Sequence, residues 1–297
     1  MAAYEPRRRA RRERQQIRGL DISVRRWGEA GATLPDVYLH GFMDVGATFQ
    51  FLVDDLGGDR PIVAPDWRGF GDSGRSGPDY WFADYLADLD ALLECYSPAR
   101  GAVLVGHSMG GNVAGIYAGV RPERVAALVL IEGFGLRDQA PERAPERYRL
   151  WLDEVRELQP FRPYDSLDAF AGRLLASNPR LTPAQAGFLA AEMAASGADG
   201  SVTFNADPGH RRINPVLYRR AEAEACWRAC RCPVLVLLGA DSPLRLALGA
   251  AATPDYLRSV FADVEVQVIA DTGHNLHQDA SGACARAIEA FLARVGR

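Results

Sequence analysis

The chain has 297 residues, 48% hydrophobic and 24% charged, proportions that exclude a disordered or fibrous polymer and fit one large domain or one domain with an insertion. Its net charge is −4, and all 34 basic residues are arginine, a chain-wide replacement that reads as compositional bias rather than function. Five unevenly spaced cysteines (Cys95, Cys226, Cys230, Cys232, Cys284) exclude a disulfide framework, and no apolar run reaches the length of a membrane span.

The first 18 residues carry Arg7, Arg8, Arg9, Arg11, Arg12, Arg14 and Arg18 against Glu5 and Glu13, a local +5 that leaves −9 for the rest. Residues 1–14 are expected to form a basic, solvated, disordered arm with at most weak, salt-sensitive contact to anions. No apolar segment adjoins the arm, so it does not read as a secretory signal, and a cytoplasmic protein is expected. No nucleic-acid partner is expected, and the oligomeric state is left open.

Strands are expected at about residues 15–18 and 22–27, then a Gly/Ala/Pro-containing loop, then a strand at 37–39. Residues 48–56 suit a short helix, 61–64 a buried strand, and 85–96 a helix with Leu86, Leu89, Leu92 and Leu93 at helical spacing. The apolar run 102–105 leads into Gly106-His107-Ser108-Met109-Gly110 and a helix, and 126–131 is a further strand ending at Glu132. Such alternation means a parallel sheet with helices on both faces. From Gly135 to Pro233 the rhythm breaks: 146–158, 167–176, 183–195 and 216–229 read as amphipathic helices, best explained as a helical insertion over one end of the sheet. Strands resume at 234–238 and 264–269, and a last helix covers 284–295.

The G-x-S-x-G pentapeptide is read as a nucleophile turn. Glycines at Gly106 and Gly110 admit the tight strand-to-helix bend that lifts the Ser108 hydroxyl into the open, because a Cβ at either place would meet neighbouring backbone. The hydroxyl needs a base. His274, in Asp271-Thr272-Gly273-His274-Asn275 after the last strand, belongs at the same sheet edge as Ser108. His107 is expected to point into the structure, and His210, in a Pro/Gly loop, to lie on the surface. His277 follows His274 by three residues without the glutamate of a zinc-protease motif, and Cys226, Cys230 and Cys232 match no zinc spacing, so neither set is assigned a metal. No metal or organic cofactor is expected.

An acid must orient the histidine. Glu132 and Asp241 both end strands between the serine and the histidine in sequence, and both satisfy the order Ser, acid, His. The oxyanion of an acyl-transfer intermediate needs two N–H donors, expected from Met109 and, in the His40-Gly41-Phe42 turn, from Phe42.

His40-Gly41-Phe42, the stretch Asp66-Trp67-Arg68-Gly69-Phe70-Gly71-Asp72-Ser73, Gly106 to Gly111 and Gly273-His274 together resemble the α/β-hydrolase superfamily, in particular its serine hydrolase-like and esterase groups with a helical cap. The resemblance covers about residues 15–295. It implies a mostly parallel eight-stranded sheet with helices on both faces, a core of residues 15–135 and 226–297, and a helical cap, 136–225, inserted after strand 6. It also implies cleavage of a carboxylic ester or related small acyl substrate through an acyl-serine. Thioesters and carbon–carbon bonds are the alternatives with the same triad, and a small-molecule binding module on this fold is the alternative of another class. Haloalkane dehalogenases and epoxide hydrolases share the layout but use aspartate where this chain has Ser108, which argues against both reactions. In many relatives the acid stands three residues after the glycine ending the seventh strand, here Ser242, with Asp241 one earlier; in some dehalogenases it ends the sixth strand, here Glu132. The longer Glu132 is favoured over Asp241.

Overall fold

The computed structural model describes residues 3–29, 31, 34–77 and 79–297, so Met1 and Ala2 of the expected arm, and Ala30, Ala32 and Thr33 of the expected loop, lie outside it. The first half builds β1 (Arg11–Ile17), β2 (Leu20–Trp27), β3 (Asp36–Leu39), α1 (Gln50–Asp55), β4 (Ile62–Pro65), α2 (Phe82–Tyr96), β5 (Ala102–His107), α3 (Met109–Val120) and β6 (Val125–Ile131). An intervening stretch holds α4 (Ala144–Arg156), α5 (Leu167–Ser177), α6 (Pro183–Met193), β7 (Ala194–Ser196), β8 (Val202–Phe204) and α7 (Arg220–Ala229). The chain then returns through β9 (Val234–Gly239), α8 (Pro243–Leu248), α9 (Pro254–Val260), β10 (Val264–Ile269), α10 (Leu276–Asp279) and α11 (Ser281–Arg294).

Eight strands form one sheet in the order β1-β2-β4-β3-β5-β6-β9-β10, with β2 antiparallel to both neighbours and every other pairing parallel. The central strands read as unbroken apolar runs because both their faces are covered. Val103, Val105, Val129, Ile131, Leu235 and Leu237 pack with Leu52 and Val53 of α1 and with Ile288 and Phe291 of α11. Their neighbours Leu104, Leu128, Leu130, Val236 and Leu238 pack on the opposite face with Leu89 of α2, Val113 of α3 and Trp227 of α7. Each such side chain contributes about 1.5–3 kcal/mol on burial, so the two layers fix the strand order and bring the carboxyl ends of β3, β5, β6, β9 and β10 to one edge.

Two expectations are corrected. Among the described residues, 3–14 do not form a free arm: β1 starts at Arg11 and pairs with β2 along its length, and Tyr4, Arg7 and Arg8 are tied to Asp54 and Asp55. The Tyr4 hydroxyl donates to Asp54 at 2.6 Å, its ring meets Phe51 edge-on at 4.7 Å, and Arg12 bridges Asp72 and Glu192. Arg7, Arg11, Arg12, Arg14 and Arg18 thus reach carboxylates while staying exposed. The stretch between β6 and β9 is also not purely helical, because β7 and β8 form a separate antiparallel hairpin where the reading at 183–195 continued the helix. The 216–229 helix begins only at Arg220.

Cys230, Cys232 and Cys284 are buried, Cys226 is half-buried and Cys95 is exposed. No helix among the described residues is long and apolar enough to cross a membrane.

Candidate active site

Ser108 sits between the end of β5 and the start of α3 with φ 51° and ψ −114°, a backbone conformation that costs energy in any L-residue and persists only where the surroundings impose it. Those surroundings are glycines. A Cβ on Gly106 would stand 2.6 Å from the Gly110 carbonyl carbon, and one on Gly110 would collide with the Leu39 carbonyl oxygen, so β3 and α3 can close on the turn only with hydrogen at both positions. The bend directs the Ser108 hydroxyl to His274, whose Nε2 lies 2.9 Å away.

On its other side, Nδ1 of His274 lies 3.1 Å from Oε2 of Glu132. The Glu132 side chain is 0% exposed, and that of His274 27%. Glu132 follows β6 with φ 54°, and its N–H donates to the Leu237 carbonyl at 3.0 Å, which turns the side chain under the histidine loop. Its carboxylate is held from two further sides: Gly239 N–H donates to Oε1 at 2.7 Å, and the Ser242 hydroxyl donates to Oε2. A buried carboxylate without such donors carries a desolvation penalty of several kcal/mol.

Asp241 is placed elsewhere. Its side chain is 55% exposed and forms an ion pair with Arg180 at 2.7 Å. Arg180 also donates from Nε to the Asp271 carbonyl at 3.0 Å, while Asn178 donates to Asp279, which in turn accepts the Gly273 N–H at 2.8 Å. The loop between α5 and α6 is thereby tied to the loop that carries His274.

Met109 follows Ser108 as the first residue of α3, and Phe42 lies in the turn after β3. A Cβ on Gly41 would approach Ser108 Cβ to 3.3 Å, which puts the turn after β3 against the nucleophile turn. Neither the Phe42 nor the Met109 N–H meets a hydrogen-bond acceptor among the described residues. The Phe42 ring is 51% exposed and meets His210 edge-on, with ring centroids 6.5 Å apart.

The other histidines are buried and neutral. Burial pushes His40 down to about 3; its Nε2 accepts the Trp67 N–H at 2.8 Å. His107 points inward as expected, and burial together with the neighbouring His277 and His274 holds it well below the usual histidine range. His210 departs from its expected surface position. It is stacked between Phe70 and Tyr80 with both centroids at 3.7 Å, and burial pushes it down to about 4. The aromatic slot on the Asp66–Ser73 loop and the Arg68 carbonyl, 3.1 Å from Nε2, account for that burial. Sequence reasoning missed Ser242 and Arg180 as partners of this site. Ser242 alone left a signal, standing three residues after Gly239, where many relatives carry the acid.

A family model described as the alpha/beta hydrolase fold matches residues 37–281. A serine hydrolase-like protein of Danio rerio is 27% identical over 279 residues, covering 90% of this chain and 83% of the relative. Among solved structures, a hypothetical protein of Pseudomonas aeruginosa superposes with a TM-score of 0.84 at 26% identity, covering 95% of this chain and 99% of that one. A thioesterase domain from the curacin biosynthetic pathway has a TM-score of 0.83 at 24% identity, with coverage of 95% and 99%.

Proposed function

The chain belongs to the α/β-hydrolase fold family, and from that premise we propose that it is a serine hydrolase, with Ser108, His274 and Glu132 as its triad and a carboxylic ester or related acyl compound as its substrate. The observation that carries this reading is the continuous line from Ser108 Oγ to His274 Nε2 at 2.9 Å and from His274 Nδ1 to Glu132 at 3.1 Å.

In this reading His274 takes the Ser108 proton as Oγ attacks the carbonyl carbon, and Glu132 keeps the other imidazole proton on Nδ1 and stabilises the imidazolium that forms. The N–H groups of Phe42 and Met109 receive the oxyanion. His274 then returns the proton to the departing alcohol, leaving an acyl-serine, and a water activated by the same imidazole releases the acid. Asp241 serves the fold through Arg180 rather than the reaction.

Residues 136–225 act as a cap that gates the acyl pocket, now with a hairpin as well as helices. The contact of Phe42 with His210 and the Arg180–Asp241 pair support this placement, since both join that segment to loops of the serine site.

A fluorophosphonate probe tests the class. Rapid labelling of the wild type and none of Ser108→Ala is expected, together with hydrolysis on a panel of esters, thioesters and lactones. A wild type that binds panel compounds but neither labels nor turns them over contradicts the enzyme reading in favour of a binding module.

A further inference from the structure

Behind the nucleophile turn lies a second polar cluster that the proposed reaction does not use. His107 Nε2 is 3.0 Å from the His274 carbonyl oxygen. A carbonyl only accepts, so the ring proton is on Nε2 and Nδ1 presents a bare lone pair. That nitrogen is buried without a hydrogen-bond partner among the described residues, and it faces Oδ2 of buried Asp44 at 3.9 Å. Asp44 is fixed in this direction because its Oδ1 accepts the Val45 N–H at 2.9 Å. His277 closes the third side, its ring centroid 4.3 Å from that of His107; its Nε2 accepts from Gln278 Nε2 at 3.3 Å, and its Nδ1, which gives up its proton on ligation, is buried without a partner among the described residues.

Nδ1 of His107 and Oδ2 of Asp44 face each other in a buried space with no hydrogen bond between them, so a metal ion entering there would displace the proton that Asp44 holds and take both lone pairs. One potential ligand atom from each of Asp44, His107 and His277 lies within 4.8 Å of the others, the only such group of three among the described residues. We propose that these three residues form a site for a divalent transition-metal ion of the zinc type. Two imidazoles and one carboxylate suit zinc or cobalt and are poor ligands for magnesium or calcium. The Nε2–H of His107 donating to a backbone carbonyl is the outer contact that typically orients a histidine for ligation through Nδ1. Tetrahedral bonds of about 2.1 Å place ligand atoms about 3.4 Å apart, so the cluster closes by up to about 1.4 Å at its widest and takes water as a fourth ligand. The sequence alone assigns no metal to His277, three residues after His274; the fold sets its ring against that of His107.

The site has a consequence for turnover, which rests on the serine-hydrolase reading, whereas metal binding itself does not. The rings of His107 and His274 are 4.9 Å apart. A dication on the far side of His107 opposes the positive charge that His274 must acquire during acyl transfer. The bound ion therefore inhibits, and with slow onset, since all three ligands are buried.

The test uses the full-length protein, stripped with a chelator and titrated with Co²⁺. One equivalent is expected to give the visible absorption bands of a tetrahedral site, displaced by Zn²⁺. His277→Gln and Asp44→Asn are each expected to weaken binding tenfold or more while retaining the wild-type circular dichroism spectrum and metal-free turnover. Zn²⁺ is expected to lower wild-type kcat at least tenfold after a lag, reversibly with chelator, and to spare His277→Gln. Absence of Co²⁺ binding, or binding that survives in both variants, overturns the site; Co²⁺ binding without inhibition overturns its regulatory part. Fluorophosphonate labelling of the same metal-free samples separates the two readings. Labelling without Co²⁺ binding removes the site alone, and Co²⁺ binding by a protein that does not label removes the hydrolase reading alone. Should Asp44→Asn fail to fold, His277→Gln decides.

Discussion

The Ser242 hydroxyl donates to Oε2 of Glu132, the same carboxylate oxygen that faces Nδ1 of His274. Ser242 is fully buried, and its oxygen also accepts the Arg245 N–H that caps α8. The residue at the position where many relatives keep their acid thus donates to the carboxylate proposed here as the acid, at the end of β6. A hydrogen bond to an ionised group contributes about 1.5–3 kcal/mol, so Ser242→Ala is expected to lower kcat roughly 10- to 100-fold with KM little changed. Ser242→Thr is expected to recover most of the loss. Equal kcat in Ser242→Ala and the wild type contradicts this positioning role.

The two candidate acids separate cleanly in one comparison. Glu132→Gln keeps the shape but removes the charge beside His274, and is expected to cost on the order of 10³–10⁴ in kcat. Asp241→Asn breaks only the exposed pair with Arg180. Exposed pairs contribute little, so the change in kcat is expected to be less than about threefold. Thermal melting serves as the folding control. The reverse ordering of the two variants makes Asp241 the acid.

His210 predicts a pH dependence of stability. Its folded value is pushed down to about 4, against about 6.5 when unfolded. Between those values the unfolded chain binds a proton that the folded chain refuses, so stability falls as the pH drops from 6.5 towards 4. Buried His40, pushed down to about 3, acts in the same sense. Asp44, pushed up to about 7 by burial, opposes them, because its folded form keeps a proton that the unfolded chain has released above about 4. His210→Gln removes one titrating group, and its unfolding free energy is expected to fall less steeply over this range, by up to about 1.4 kcal/mol per pH unit. Parallel slopes for variant and wild type, measured by urea unfolding at several pH values, contradict the buried neutral histidine.

The docked N-terminal segment should matter to stability and not to turnover. Tyr4→Ala loses the hydrogen bond to Asp54 and the edge contact with Phe51, and is expected to cost about 1–3 kcal/mol with kcat unchanged. An unchanged melting temperature returns the segment to the status of a free arm.

What the sequence exposes and what it hides follow from the range of the interactions. The β5 turn is local: glycine spacing, an apolar run and a helix specify Ser108 without any distant residue. The order of strand ends is also legible, and it places Glu132 and His274 at the sheet edge that carries Ser108. The carboxylate's environment is not, because Gly239 and Ser242 reach Glu132 only through the pairing of β6 with β9. The burial of His210 is hidden for the same reason, its aromatic slot being built by Phe70 and Tyr80, more than 100 positions away in sequence. Helices α8 and α9 do carry local signals, Ser242-Pro243 and Thr253-Pro254, each a capping hydroxyl followed by proline at the first helical position. The partners of the basic segment before β1 are hidden too, because composition weighs charge but not what it meets.

The central claim is that Ser108 becomes covalently acylated with His274 as its base, and rapid quench followed by intact-mass analysis tests it most directly. Wild-type protein mixed with an activated ester is expected to gain the mass of one acyl group, located on the peptide containing Ser108. A burst of alcohol release should match the enzyme concentration, and Ser108→Ala should show neither adduct nor burst. Steady turnover by Ser108→Ala at the wild-type rate, or an adduct on another residue, contradicts the account.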